Sequence, residues 1–412
     1  MPVANNSLRA ACRDRWWQRM NQRNTAILFP VFFILVLIFI LFRPTEAIAL
    51  QPSAMHGMLR LGIEKAFNMD PLGASILFQK AAELDPEDPT GYAFQAVNQL
   101  SIAETSFDPK QREASQEAML RFVSETLSRG EIRVGKNPRD SRAWFAMALA
   151  RTAKFRWAQR LKQYFTVADE AYNLWSCLEN VQKEDPENYD SYLLTGLIRY
   201  HIDHMPDVTR FFSSILITQG DSRRGLADIE LAATKGDLLK ELAQSELISV
   251  YLNFEKQPAR VLSLAREMQK KFPRNYNFSI ALANILTELG QFKEAMAIAR
   301  QFERGITSGK PPYAPQLQPR YDQLMGRIYF TQGDYARAED YFQRSLKDTA
   351  DYNARVRVWS YVRLGMICDA RDQREQAKDY YSAALSIDIG ESVAKVEARK
   401  YLKTPYKAAL QQ

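Results

Sequence analysis

A pattern of small and aromatic residues occurs three times in the sequence, at widely separated positions. Its copies are Leu61-Gly62 with Ala74-x3-Phe78-x2-Ala81, Met325-Gly326 with Ala338-x3-Phe342-x2-Ser345, and Leu364-Gly365 with Ala377-x3-Tyr381-x2-Ala384. Small residues allow two helices to approach closely, and the aromatic side chain fills the gap to the next unit. Such a unit cannot bury its apolar face alone, so the pattern predicts a stack of helical hairpins.

These units resemble the tetratricopeptide repeat (TPR) pattern, in which an aromatic-x2-Leu-Gly series lies on a first helix and Ala-x3-aromatic-x2-Ala on a second. The resemblance implies an all-α protein, a TPR-like α-solenoid in which helical hairpins form a right-handed superhelix. No long alternation of apolar and polar residues is present, so strands are not expected.

Prolines mark the predicted ends of hairpins, because a proline shortly after a helix stops it. They occur at Asp85-Pro86, Asn137-Pro138, Asp185-Pro186 and Phe272-Pro273. The first two intervals exceed a plain repeat, so the middle hairpins are expected to be longer or to carry extra helices. The last interval has room for two units, one containing Gly225-Leu226-Ala227 and one around Leu238–Lys271. We expect the solenoid to cover 55–390 and a capping helix and tail to cover 391–412.

The central part of the chain resembles a narrower group. Tyr192 to Phe302 contains a Gly-Asp-x3-Gly-Leu turn and a Pro-x-Asn-x2-Phe turn. Both turns are similar to those of bacterial TPR proteins distantly related to the tetratricopeptide repeat protein 39 group. This resemblance implies a family and no particular activity.

Residues Ala26 to Phe42 form an unbroken apolar run, AILFPVFFILVLIFILF. As a helix the run would be roughly 26 Å long, close to the thickness of the hydrocarbon core of a bilayer. We therefore predict a basic tail at 1–24, a transmembrane helix at 25–43 and a linker at 44–54. The tail carries +4 of the net charge of +7, which favours a cytoplasmic amino terminus and an exported solenoid, periplasmic in a Gram-negative bacterium.

A cleaved signal peptide is the alternative to this signal-anchor, since Ala47-Ile48-Ala49 offers a small-x-small site for cleavage after Ala49. Either interpretation exports the rest of the chain.

The sequence contains no recognised catalytic or cofactor-binding motif, so we expect neither an enzyme nor a bound cofactor. The motifs HExxH, GxSxG, GxGxxG and CxxC are absent from the sequence. Cys177 and Cys368 lie too far apart in a solenoid to form a disulfide. His201 and His204 could share a helix face, but Met205-Pro206 is expected to end that helix, so no metal site is predicted.

A basic stretch from Arg151 to Lys162 is interleaved with aromatic residues that include Trp157, Tyr164 and Phe165. A patch for nucleic acid or anionic lipid is one interpretation, and a solvated helix face with core aromatics is the favoured one. We therefore expect no nucleic-acid partner.

In the TPR fold the first helices line a concave groove. The positions implied by the resemblance are Asn277, Asn284, Arg320, Gln323, Arg327, Phe330 and Trp359. Their mixture of polar, cationic and aromatic side chains suits an extended peptide.

The sequence thus favours a membrane-tethered scaffold or adaptor that binds proteins or peptides of a membrane-associated complex. Two alternatives stay open, an enzyme acting on an envelope polymer and an exported solute-binding component of a transporter.

Overall fold

The described part of the chain is built from α-helices. The computed structural model describes residues 47–204, 217–389 and 392–408, without the side chains of 47–53 and 351. The chain divides into two units, 1–54 and 55–412, and the second contains nearly all of the described helices. The predicted tail and membrane segment lie outside the described residues.

Seventeen α-helices follow one another in the described residues. The first eight are α1 (Ala47–Phe67), α2 (Pro71–Leu84), α3 (Thr90–Thr105), α4 (Pro109–Lys136), α5 (Ser141–Arg160), α6 (Tyr164–Glu184), α7 (Tyr189–Asp203) and α8 (Ser222–Lys235). The others are α9 (Lys240–Asn253), α10 (Leu262–Lys271), α11 (Tyr276–Glu288), α12 (Phe292–Ser308), α13 (Gln318–Thr331), α14 (Tyr335–Ser345), α15 (Ala354–Ala370), α16 (Arg374–Ser386) and α17 (Val393–Lys403).

Consecutive helices pair into eight hairpins, and α17 follows the last of them. The all-α solenoid is confirmed, and α1 begins at Ala47, inside the segment predicted as a linker. The long middle hairpins come from longer helices, such as the 28 residues of α4. The interval between Pro186 and Pro273 contains two hairpins, as predicted: α7 with α8, which carries Gly225-Leu226-Ala227, and α9 with α10.

The glycine of each repeated pattern touches the aromatic residue of the same hairpin. A Cβ atom added at Gly326 would lie 2.6 Å from the ring of Phe342, and one at Gly365 would lie 2.5 Å from Tyr381. Gly62 and Phe78 are related in the same way. The alanine four residues before each aromatic is fully buried. The pattern therefore encodes the close approach of the two helices in a hairpin.

The same type of turn joins the two helices in five of the eight hairpins. Its central residue has a positive φ, and the next N–H donates to the carbonyl five residues back, as in a Schellman motif. The central residues are Met69, Lys162, Gly290, Gly333 and Asp372. Only two of the five are glycines, so the turn cannot be recognised from glycine alone.

A second turn joins successive hairpins at the predicted proline stops. The N–H of Asp140 donates to the carbonyl of Asn137 at 3.0 Å, with Pro138 between them, which is the arrangement of a β-turn with proline at its second position. The Asp140 side chain then accepts the N–H of Ala143 and caps α5. The turns ending at Asp88, Asn188 and Asn275 repeat the backbone hydrogen bond.

The first hairpin is joined to the fifth and sixth by long-range contacts. Arg60 on α1 donates both terminal nitrogens to Glu241 on α9, at 2.9 and 3.1 Å, and Lys271 on α10 donates to the same carboxylate at 2.9 Å. The Phe67 ring lies 5.2 Å from that of Phe272, and the amide of Asn275 donates to the Phe67 carbonyl.

Further along the chain, Phe107 meets Tyr352 edge to face at 5.0 Å, and Lys162 pairs with Asp388 at 2.7 Å. The array of hairpins therefore coils back on itself within residues 55–412.

We predict that Gly326→Ala lowers the free energy of unfolding by about 2 kcal/mol, because the Phe342 ring must move out of an already filled position. Gly135→Ala is the matched control, since a Cβ atom there meets nothing within 4 Å and alanine favours the helix by about 0.5 kcal/mol. Urea unfolding followed by circular dichroism measures both. Equal effects of the two substitutions would contradict the assigned contact.

We predict that Glu241→Gln lowers the free energy of unfolding by about 2 kcal/mol at neutral pH, because it removes hydrogen bonds to two cations. Burial raises the pKa of Glu241, but the bonds from Arg60 and Lys271 outweigh it and leave the pKa below its ordinary 4.5. The bonds therefore stabilise the native state above the ordinary pKa, and their contribution is lost as the pH falls through the native pKa.

The difference between wild type and variant should thus shrink below about pH 4.5. Urea unfolding at a series of pH values measures it, and a difference that does not change with pH would contradict the role of the carboxylate.

Candidate functional site

The seven residues predicted to line a groove lie on the first helices of the sixth, seventh and eighth hairpins. Asn277 and Asn284 are on α11, Arg320, Gln323, Arg327 and Phe330 on α13, and Trp359 on α15. We call the surface formed by these residues and by Arg355, Arg363 and Glu288 the inner surface.

Arg320 links the first two helices of the inner surface. Its Nη1 donates to Oδ1 of Asn277 at 3.3 Å, and its guanidinium lies 6.0 Å from the centre of the Tyr276 ring. Asn277 is exposed and Arg320 is half-buried. The contact is long and partly solvated, so both polar groups can exchange it for a ligand.

Arg327 is already engaged in the structure. Its Nη2 donates to Oε1 of Glu288 at 2.8 Å, and the Arg327 side chain is 15% exposed. Burial lowers the pKa of Arg327, although Glu288 opposes this effect. Burial also raises the pKa of Glu288, but Arg327 outweighs it, with help from Arg363 and Lys256, so that pKa is lowered.

The Arg327–Glu288 pair thus belongs to a network that extends to the carboxyl-terminal helix. Lys256, in the turn after α9, pairs with Glu397 on α17 at 3.3 Å, and Glu397 favours the charged form of Arg327. Five helices or turns therefore place charges close together. Arg327 holds the array together and is not freely available to a ligand.

Arg363 connects the seventh and eighth hairpins. Its guanidinium lies 5.0 Å from the centre of the Phe330 ring and 5.5 Å from that of Trp359, which is within the range of cation–π attraction. Phe330 is 8% exposed, and the Tyr406 ring lies 6.0 Å from it. Phe330 therefore acts as support for Arg363, whereas Trp359 is only partly buried.

Two amide side chains of the inner surface have unused hydrogen-bonding capacity. Oδ1 of Asn284 is buried and accepts no hydrogen bond from the described residues. Gln323 is half-buried and makes no hydrogen bond or ion pair within the described part of the chain. A buried acceptor without a partner is costly, so the Asn284 amide is a position where an N–H of a ligand would be stabilising.

A carboxylate on α9 interacts electrostatically with one arginine of the inner surface, Arg355. Glu246 is half-buried, and its pKa is raised by burial, although Arg156 on α5 and Arg355 on α15 act against this effect.

Sequence reasoning found the first helices but missed part of their inner surface. It chose fixed positions within each unit and therefore omitted Arg363, Arg355 and Glu288. Arg355, Trp359 and Arg363 are four residues apart in succession, and this spacing puts them on one face of a helix. This helical spacing could have identified Arg355 and Arg363 from the sequence.

The other candidate residues do not form a chemical site. His201 and His204 surround Phe254 together with Tyr200, with ring centres 5.5 Å from Phe254 for both histidines. Within the described ranges, no group of three His, Cys, Asp or Glu side chains is placed to hold a metal ion. Cys177 and Cys368 are free and buried, as predicted, and burial raises the pKa of Cys177 to about 11.

No helix among the described residues is both long and apolar enough to span a bilayer. The predicted segment 26–42 is not among those residues.

The family model of the tetratricopeptide repeat matches residues 321–389, which cover the last two hairpins except the first three residues of α13. This part of the chain consists of tetratricopeptide repeats. The match includes three residues of the predicted groove on α13, Gln323, Arg327 and Phe330, and Trp359 on α15. The search of curated proteins gave no match.

The chain is also similar to solved structures of TPR proteins. TTC0263, a thermophilic TPR protein in Thermus thermophilus, is 19% identical, over 57% of this chain and 99% of that chain, with a TM-score of 0.34. A TPR protein from Parabacteroides merdae is 13% identical over 84% and 98%, with a TM-score of 0.26. The P58(IPK) TPR domain is 14% identical over 85% and 97%, with a TM-score of 0.24.

Proposed function

We propose that this protein is a membrane-tethered adaptor that holds an extended segment of a partner protein along the inner surface. The observation that carries the proposal is the buried Oδ1 of Asn284, unpartnered among the described residues, which lies on the same helix as Asn277 and beside the helix of Gln323. TPR-like repeats are consistent with a protein-interaction scaffold. An extended peptide offers backbone N–H groups that can satisfy such amides.

The chemistry of the inner surface favours a peptide over a compact ligand. Its available groups are spread over three successive first helices: the amides of Asn284 and Gln323, the guanidinium of Arg320 and the ring of Trp359. Polar groups that alternate with one aromatic anchor suit a ligand that is itself extended, with backbone groups for the amides and one apolar side chain for the tryptophan.

The tether is the predicted transmembrane helix at 25–43. It would confine the adaptor to the surface of one membrane, where it meets partners that move in or near the same membrane, and it would place the solenoid on the exported side.

Site-specific photocrosslinking in cells tests the binding proposal. A photoreactive amino acid at Gln323 should capture a protein partner, and the same group at Glu179 on the second helix of the third hairpin should not. We expect Asn284→Ala to reduce capture about five-fold, the equivalent of one hydrogen bond of about 1 kcal/mol, without lowering the free energy of unfolding, because it removes an unpartnered buried acceptor.

Arg320→Glu should reduce capture as well, and its matched control is Arg300→Glu, an equal charge change at an exposed position of α12. Capture from position 323 that neither Asn284→Ala nor Arg320→Glu reduces would contradict the proposed surface.

Cysteine accessibility tests the tether and its orientation. A membrane-impermeant maleimide should label Ile132→Cys, at an exposed position of α4, in intact spheroplasts, and should label native Cys12 only after lysis. The native Cys177 and Cys368 are buried, so they should not react with the maleimide. Labelling of Cys12 in intact spheroplasts, or of position 132 only after lysis, would contradict the orientation.

A further inference from the structure

Three aromatic side chains stand out at the junction of α5 and α6. Phe165 is 95% exposed, Tyr164 74% and Tyr172 59%, and these are the exposed aromatic residues among the described side chains. Leu161, in the turn itself, is 46% exposed. Trp157 is buried, as expected from the sequence, but Tyr164 and Phe165 are not the core aromatics that the sequence favoured.

The turn that carries these side chains has a defined shape. Lys162 has a φ of 57°, its N–H donates to Gln159, and the N–H of Gln163 donates to Ala158 at 3.0 Å. Both bonds belong to the Schellman motif, which fixes the path of the chain between two helices. Leu161, Tyr164 and Phe165 are therefore held outward at the tip of a hairpin. We call residues 159–165 the aromatic tip.

Cations flank the apolar side chains of the aromatic tip. The Arg160 guanidinium lies 5.7 Å from the Trp157 ring and has no carboxylate partner among the described residues, whereas Lys162 pairs with Asp388 on the surface. Residues 151–168 contain no acid. The nearest acid in sequence, Asp169, lies one turn further into α6, away from the tip. Within the described part of the chain, Arg160 is thus the cation of the tip that can meet a phosphate group.

We propose that the aromatic tip inserts into the headgroup region of a phospholipid bilayer. Tyrosine and other amphipathic rings are enriched at that depth, and long cationic side chains reach from it towards phosphates. The apolar side chains project from a convex turn and do not line a concavity.

The inference rests on the proposed membrane tether for its geometry. Only residues 43–46 separate the apolar run ending at Phe42 from the start of α1 at Ala47. The solenoid therefore begins next to the bilayer in sequence, and a weak second contact suffices, because tethering turns it into an intramolecular event. With two contacts, the adaptor would hold a fixed orientation on the membrane.

The experiment uses the full chain, with Cys12→Ser, reconstituted into vesicles that contain equal amounts of zwitterionic and anionic phospholipid. An environment-sensitive dye is attached at Gln163→Cys, which keeps all the apolar side chains of the tip. Nitroxide-labelled lipids quench the dye where the two meet. The matched control is Glu179→Cys, an exposed position on the same hairpin, roughly 22 Å further along α6.

We expect quenching at position 163 and none at position 179. Tyr164→Ser with Phe165→Ser should lower the ratio of inserted to free tip at least about ten-fold, because burying one such ring contributes roughly 1.5–3 kcal/mol. Leu72→Ser with Ile76→Ser, a pair that is also exposed, should leave the ratio unchanged. Removal of the anionic lipid should lower it about five-fold, since one cation contributes about 1 kcal/mol near an anionic surface.

Equal quenching at positions 163 and 179, or no quenching at 163, overturns the inference. An unchanged ratio after the Tyr164 and Phe165 substitutions overturns it too, and so does a dye at 163 that responds to added protein and not to nitroxide lipid. Vesicle flotation reports the tether separately. If the chain floats with the vesicles but the dye at position 163 is not quenched, the insertion of the aromatic tip is refuted and the tether is not. If the chain does not float, the tether is refuted. Quenching of the dye by preformed vesicles would then still support insertion of the tip.

Discussion

The close contact between a glycine and an aromatic ring sets the packing of the two helices in the first, seventh and eighth hairpins. Where Gly326 faces Phe342, two helices pack at a distance that no larger residue permits. Such a contact fixes the angle between the helices of one hairpin and so sets the direction in which the next is added. Because each hairpin mainly contacts its neighbours, small local angles accumulate along the chain.

Accumulated curvature explains why distant hairpins meet. The first hairpin reaches the fifth through the bonds of Arg60 to Glu241, and the third reaches the carboxyl-terminal end through Lys162 and Asp388. Arg327 is also engaged by partners that are distant in sequence, since its charge is held by Glu288 and by a network that includes α17. A residue that the repeat pattern placed in an open groove is thereby drawn into the support of the array.

The local parts of this structure were predictable from the sequence, and the long-range parts were not. Pro138 and its counterparts marked the turns between hairpins, and Ala338 with Phe342 marked the packing of a hairpin. The pairing of Glu241 with Arg60 had no signal, because 181 positions separate the two residues and only the summed curvature brings them together. The exposure of Phe165 was not predicted, because an aromatic residue at helical spacing usually belongs to a core.

The inner surface of α11, α13 and α15 is proposed to bind an extended peptide, and hydrogen–deuterium exchange tests this most directly. The full chain is compared with and without the peptide segment identified by crosslinking at position 323. We expect slower exchange in residues 276–288, 318–331 and 354–370 when the peptide is bound. Slower exchange confined to the second helices α12, α14 and α16 would contradict the proposed binding surface.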